Sequence, residues 1–256
     1  MEQILRHADV VLGTTSTVSP LGPLKHVPTD HFTVAVVDEA GQALEAACWV
    51  ALQQAPRCVL AGDHMQLPPT VLSDEADKRG LGRTLLERAT HLLGAEYVRL
   101  LNTQYRMHQT IMQWSSEHFY DGRLVAGDSV RTHRLVDLPG IADTPETSVP
   151  VVFIDTAGCS MEETVGEDDI SKSNTGEADI VAQYIADLVA AGVSPEDIGV
   201  ITPYNLQVEL LRSVLTPVYG QALEIKSVDG FQGREKLVII LSLVRSNPRN
   251  EVGFLR

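Results

Sequence analysis

The sequence predicts an α/β fold with mostly parallel sheets, and three observations carry that prediction. Short β-branched apolar runs alternate along the chain with amphipathic stretches of helical length. Several of the runs are continuously apolar rather than alternating, as strands are when helices cover both faces of their sheet. Two runs in succession end in polar groups, at the carboxyl edge where such sheets carry their chemistry.

Strands are expected at Val10–Leu12, Val34–Val37, Cys58–Ala61, Val98–Leu101, Val151–Ile154, Ile198–Ile201, Leu223–Lys226 and Leu237–Leu241. Between them Gln42–Gln54, Arg83–Leu93, Met107–His118, Glu177–Ala191 and Asn205–Leu215 carry apolar residues at helical spacing. The fourth of these helices starts after Asn174-Thr175-Gly176 and closes at Gly192, residue types suited to its two ends. Ser194-Pro195-Glu196-Asp197 then turns the chain into the next strand. A doubly wound topology follows from the alternation. The turn-rich stretch from Asp121 to Pro150 and the acidic run from Glu162 to Asp169 break the pattern and read as solvated surface excursions.

With 256 residues, 44% of them hydrophobic, the chain can fill a sizeable core, which argues against disorder of the whole. No fixed-period repeat or low-complexity tract occurs, so solenoid and collagen-like classes fall away. The longest near-continuous apolar run, Leu237 to Val244, is far short of the roughly 18 to 20 residues of a membrane span, and Met1-Glu2-Gln3 opens no secretory signal. A soluble protein of the cytoplasm, the nucleus or both is expected, with no membrane partner. Cys48, Cys58 and Cys159 lack zinc-ligand spacing and are expected as reduced thiols. Twenty Lys and Arg against 34 Asp and Glu give a net charge of −14. A nucleic-acid partner would therefore be held locally rather than by a broad basic face.

Val34-Ala35-Val36-Val37-Asp38-Glu39 is an apolar strand ending in two carboxylates, the Walker B arrangement. There Asp38 can hold Mg²⁺ and Glu39 can position and deprotonate a water. Alone, the pattern equally suits a strand entering the acidic first turn of a helix. The next strand ends in Gly62-Asp63-His64-Met65-Gln66-Leu67-Pro68, where Gln66 is a neutral donor and acceptor able to sense a γ-phosphate. Gln104-Tyr105-Arg106-Met107-His108 follows a third run: Arg106 can offer fixed positive charge to a phosphate and Tyr105 a flat face to a base. A surface arginine beside a core tyrosine would give the same letters.

These segments, with Thr202-Pro203-Tyr204-Asn205-Leu206-Gln207 and Val228-Asp229-Gly230-Phe231-Gln232-Gly233-Arg234-Glu235, stand in the order found in superfamily 1 helicases. The chain resembles the branch containing the nonsense-mediated-decay helicase. Asp155-Thr156-Ala157-Gly158-Cys159, Ile225-Lys226-Ser227-Val228-Asp229-Gly230 and Val244-Arg245-Ser246-Asn247 bring it nearest the immunoglobulin-mu-switch-region-binding type, and the likeness covers nearly the whole chain.

The resemblance implies two RecA-like domains of the P-loop NTPase type, both incomplete: the C-terminal, Walker B side of the first at 1–100, and the second at 101–256. It implies ATP and Mg²⁺ as cofactors, movement 5′ to 3′, and single-stranded RNA or DNA as the track. Asp38 would ligate Mg²⁺, Glu39 act as general base, Gln66 sense the γ-phosphate and Arg106 contact it. Tyr105 would stack on the base, and Glu235, in the Gly233-Arg234-Glu235 triplet, would meet the ribose. Thr14, Thr15, Ser16, Pro203, Tyr204, Ser227 and Asp229 would face the nucleic acid, contacting backbone without reading sequence. A hydroxyl in such a place also serves as a helix cap or turn. Ribonucleoprotein partners would bind through regions outside these residues, and a shortened product that binds nucleic acid or partners without catalysis is the alternative reading.

The family's phosphate loop, G-x-x-x-x-G-K-[ST], is not in these 256 residues: only Gly122 and Gly127 have the spacing, and Asp128 stands where Lys would. The family's arginine-finger motif is expected past the equivalent of Gly253-Phe254-Leu255, and such a finger is worth ~10³ to 10⁵ in rate. The 256-residue chain by itself is therefore expected to hydrolyse ATP negligibly. Phosphate release with and without single-stranded nucleic acid checks this; a stimulated turnover near ~1 s⁻¹ that disappears in Glu39→Gln overturns it.

Overall fold

A parallel ladder needs a crossover between its strands, and the computed structural model, which describes residues 2–19, 21–28, 30–166 and 171–253, shows helices supplying most of these crossovers. Contacts divide the chain into two units, 1–101 and 102–256.

The first unit runs α1 (Glu2–His7), β1 (Ala35–Val37), α2 (Glu45–Leu52), β2 (Cys58–Leu60), α3 (Asp74–Lys78) and α4 (Leu85–Leu93). β1 and β2 pair in parallel, Ala35 opposite Cys58 and Val37 opposite Leu60. Val37, Ala40, Cys48 and Leu85 form the buried centre. Thr84 starts α4 by accepting the Glu87 amide at 3.2 Å. Arg88 of α4 then clasps Glu45 of α2 through one edge of its guanidinium, Nε donating to Oε2 at 2.8 Å and Nη2 to Oε1. That bidentate bond holds the Glu45 carboxyl below its ordinary range.

The second unit runs β3 (Thr103–Gln104), α5 (Gln109–Phe119), β4 (Val125–Ala126), β5 (Thr164–Val165), β6 (Lys172–Ser173), α6 (Thr175–Ala190), β7 (Ile198–Thr202), α7 (Asn205–Tyr219), β8 (Glu224–Ser227), α8 (Val228–Phe231) and β9 (Val238–Leu241). β3 and β4 pair in parallel, β5 and β6 antiparallel, and the main sheet is parallel in the order β8-β7-β9. β7, in the middle, is the most buried strand, as its continuous apolar run predicts. Ile198 and Val200 pack with Ile185 and Leu188 of α6 and Leu211 and Leu215 of α7 to make the core.

Three expected strands do not form. Val10–Leu12, Val98–Leu101 and Val151–Ile154 are irregular, with Leu12 93%, Leu101 90% and Phe153 84% exposed. Apolar β-branched residues favour extended backbone, but a strand exists only when its N–H and C=O groups meet those of a neighbouring strand, and none of the three runs pairs with one among the described residues. The ladder near the second of these runs starts two residues after it, at Thr103.

The acidic run is also more than a solvated loop, although Glu167 to Asp169 lie outside the described residues. Glu163 and Arg245 form an ion pair, Nε to Oε2 at 2.9 Å, with side chains only 7% and 8% exposed. The same carboxylate oxygen accepts the Ser246 amide at 2.8 Å and the Asn247 side chain at 3.4 Å. Burial pushes the Glu163 carboxyl up, yet Arg245, Ser246 and Asn247 together hold it below its ordinary range.

A second polar network lies between α6, α7 and the end of the main sheet. Fully buried Asn174 caps α6 by accepting the Glu177 amide at 3.0 Å, and its own amide group donates to the Met161 and Val244 carbonyls. Gln207, equally buried, accepts from the Asn174 amide and donates to Ser242, which donates to Glu177.

Glu163→Gln is expected to destabilise the chain by about 3 to 5 kcal/mol at neutral pH, because it leaves a buried guanidinium unpaired. The carboxyl is depressed in the folded state, so its contribution is present above the unfolded carboxylate range, about pH 4.3, and fades as pH falls through the folded value. Urea titrations of both proteins from pH 3 to pH 7 should show the gap closing toward acid; an equal gap across the range overturns this account.

Candidate nucleotide and nucleic-acid site

In the first unit, the parallel register sends the chain out of β1 and β2 at the same edge. Asp38 and Glu39 follow β1 and are exposed. Asp38 Oδ1 accepts the Glu39 amide at 3.0 Å, and Glu39 Oε2 accepts the Gln42 side-chain amide at 2.9 Å. Glu39 has a φ of +52°, a left-handed conformation that costs a non-glycine residue about 1 kcal/mol or more.

The loop after β2 lies directly against this one. The Ala40 amide donates to the Ala61 carbonyl at 2.8 Å. A Cβ on Gly62, whose φ is +148°, would lie 2.8 Å from the Ala40 nitrogen, and one on Gly41 would lie 2.5 Å from the Asp63 carbonyl oxygen. Only glycine permits this approach. Asp63 Oδ1 accepts the Met65 amide at 3.0 Å, and Oδ2 accepts the Gln66 amide nitrogen at 2.9 Å. Gln66 is thus exposed, with its donor end held by Asp63. Asp63 is the positioning residue that the motif contains and sequence reasoning passed over.

The donor set suits Mg²⁺. The ion binds through one or two carboxylates, with water and substrate phosphates completing its shell, and Asp38 offers such a carboxylate in the open. Among the described residues no group of three or more His, Cys, Asp or Glu converges as a self-contained metal cage.

In the second unit, Gln104 ties the turn after β3. Its Oε1 accepts the Arg106 and Met107 amides, both at 2.9 Å, and its Nε2 donates to the Met107 carbonyl at 2.8 Å. The turn so tied projects Tyr105 and Arg106 outward. A Cβ on Gly127, just after β4, would lie 2.5 Å from the Tyr105 ring, so the ring rests on bare backbone there. Tyr105 is 69% exposed, and its outer face is open to a planar partner.

Arg106 Nε meets Glu235 Oε2 at 2.9 Å. This contact joins two motifs 129 residues apart. Both side chains are mostly exposed, so the pair adds about 0 to 1 kcal/mol of stability. Gly233, with φ +74°, turns the chain after α8 toward Glu235.

The expected nucleic-acid contacts are divided. In the first unit Thr14 sits in a turn, its carbonyl accepting the Thr17 amide at 2.9 Å, with Thr15 and Ser16 between them. In the second, Pro203 and Tyr204 leave the carboxyl end of β7 and Ser227 ends β8 beside it, Thr202 being paired with Ser227. Ser227 caps α8 through the Gly230 amide, and Asp229 is exposed. Tyr204 is 3% exposed, with its hydroxyl 3.5 Å from Arg245 Nη1, so its ring is not offered at the surface of this unit. Two residues of the same segments carry buried polar atoms without a hydrogen-bond partner, Thr202 Oγ1 and Gln232 Nε2. Such atoms cost about 1 to 3 kcal/mol each, and no signal of spacing or composition could have singled them out.

The AAA domain family matches residues 81–256, and a second family of the same description matches residues 1–74. The DNA-binding protein SMUBP-2 of Rattus norvegicus is 57% identical over 253 residues, covering 99% of this chain and 26% of the relative. The DNA polymerase alpha-associated DNA helicase A of Schizosaccharomyces pombe is 44% identical over 88% of this chain and 34% of its own length. The regulator of nonsense transcripts 1 homolog of Drosophila melanogaster is 38% identical over 99% of this chain and 21% of its own length. The chain spans a fifth to a third of the length of these relatives. By these matches, and by parallel α/β units carrying the motif loops at their strand ends, the chain belongs to the AAA domain family.

Proposed function

We propose that the chain forms part of an ATP-dependent helicase motor that moves 5′ to 3′ along single-stranded RNA or DNA in the cytoplasm, the nucleus or both. The observation that carries this reading is the Arg106–Glu235 contact beside the open face of Tyr105. It gathers fixed positive charge, a stacking surface and a hydroxyl-binding carboxylate within one unit, the three chemistries that phosphate, base and ribose require. The division into 1–101 and 102–256 supports a first RecA-like domain over residues 1–100 and a second over 101–256.

In this reading Asp38 holds Mg²⁺, which supplies charge neutralisation on the ATP phosphates when bound. Glu39 accepts the proton of the attacking water, and its strained backbone fixes where that carboxylate points. Gln66 is kept oriented by Asp63. Tyr105 stacks on the base, Arg106 turns from Glu235 to the γ-phosphate, and Glu235 is released to the ribose. The exposed residues Thr14, Ser16 and Asp229, with Thr15, Pro203 and Ser227, contact the nucleic-acid backbone. Tyr204 contributes through its main chain and through Arg245. Ribonucleoprotein partners would dock through regions outside these residues.

Two substitutions in the full-length protein test the assignment. Glu39→Gln is expected to lower kcat for ATP by about 10² to 10⁴ while leaving nucleotide affinity within about threefold. Tyr105→Ala is expected to weaken nucleotide binding by about fivefold or more, the loss of one stacked base. Nucleotide affinity unmoved by Tyr105→Ala, together with full turnover in Glu39→Gln, would remove the basis of the proposal.

A further inference from the structure

The first half of β8, the C-terminal part of α7 and the chain leading into β9 enclose a polar cleft of about 340 Å³. Arg212 comes from α7, Lys226 from β8, and Arg234 and Lys236 from the approach to β9. Glu224 is the only carboxylate among the described residues that line it. Four cations against one carboxylate leave three positive charges on this small surface, in a chain whose net charge is −14.

The cations are held in place rather than splayed into solvent. Arg234 bonds Glu224, and Lys226 and Lys236 approach the same carboxylate at 3.5 and 3.6 Å. Lys236 also donates to the Glu196 carbonyl, and Arg212 directs both Nε, at 3.2 Å, and Nη2, at 2.7 Å, to the Ile225 carbonyl. The Lys226 and Lys236 side chains are only 28% and 18% exposed. Desolvation disfavours a surplus of like charge, and an anion seated in the cleft would relieve it. β8 is an edge strand, so the cleft lies at the rim of the sheet. Glu224 and Ser227 are the two ends of that strand, which separates the centre of the cleft from the Ser227 cap by about 10 Å.

We infer that this cleft is a second phosphate-backbone contact for single-stranded nucleic acid, taking the strand beyond the residues at the carboxyl ends of β7 and β8. It rests on the nucleic-acid reading proposed above. Charge complementarity favours this occupant: a phosphodiester chain carries a charge at every residue, and neutralising several of them by fixed lysine and arginine releases counterions whatever the sequence. Glu224 sets the strength of the contact by keeping part of the positive charge occupied.

The test is fluorescence anisotropy of a labelled single-stranded oligonucleotide, titrated with the full-length protein over a series of salt concentrations. Lys226→Ala should weaken binding and reduce the slope of log K against log salt by about 0.7, the loss of one phosphate contact on a single strand. Glu224→Gln should act in the opposite sense, tightening binding by roughly two- to fivefold, a change that damaged folding would not produce. Wild-type binding with a slope unchanged in Lys226→Ala and an affinity unchanged in Glu224→Gln overturns the cleft while leaving the nucleic-acid reading intact. Failure of the wild-type protein to bind the oligonucleotide at low salt overturns both. Competition by poly-glutamate as effective as that by unlabelled oligonucleotide would assign the cleft to an acidic protein partner and overturn the proposal.

Discussion

Parallel pairing is the constraint on which the site depends. Strands that run in the same direction release their chains at the same edge, so residues distant in sequence emerge side by side without any attraction of their own. β1 beside β2 sets Asp38 and Glu39 against Gly62 to Gln66. β3 beside β4 lays the Tyr105 ring on Gly127. β7 beside β8 pairs Thr202, just before Pro203, with Ser227. In each case the ladder does the gathering, and the loops need only the local bonds that shape them, such as Gln104 closing the turn around Tyr105 and Arg106.

Holding those edges in register requires polar groups to be buried, and behind them the second unit bonds most of these to one another. Asn174 and Gln207 satisfy each other and the start of α6, while Glu163 collects a guanidinium, a backbone amide and a side-chain amide on one oxygen. A buried carboxylate with one such partner would be destabilising; with three it fixes the segment after β9 against β5 and brings Arg245 to the Tyr204 hydroxyl. Gln207 belongs to the Thr202-to-Gln207 motif, so that motif both forms the strand end and anchors it from behind.

The long helices and the central strands are legible in the sequence because their signals are local: apolar spacing, a cap at Asn174, a glycine at position 192. The strands that fail, at 10–12, 98–101 and 151–154, have the right local composition, but the partner that makes a strand is a non-local fact. The same limit hides Glu163. Its neighbours are acids and its partner lies 82 residues away, so the charge pattern points to solvent where the structure has a buried pair. A motif likewise says nothing of whether a ring faces out or in, and the Tyr204 side chain is buried. The chemistry-bearing residues of the first unit are legible as types, while the bond that orients Gln66 through Asp63 is not.

Two ion pairs of the second unit show how burial sorts charge that is held from charge that can exchange. Glu163 and Arg245 are nearly shut from water, so exchanging partners would expose an uncompensated charge to a low dielectric and cost several kcal/mol. That pair can only hold. Arg106 and Glu235 are exposed, and water replaces either partner at a cost of about 1 kcal/mol or less. A pair of that weakness is strong enough to aim the Arg106 guanidinium and too weak to keep it from a competing anion.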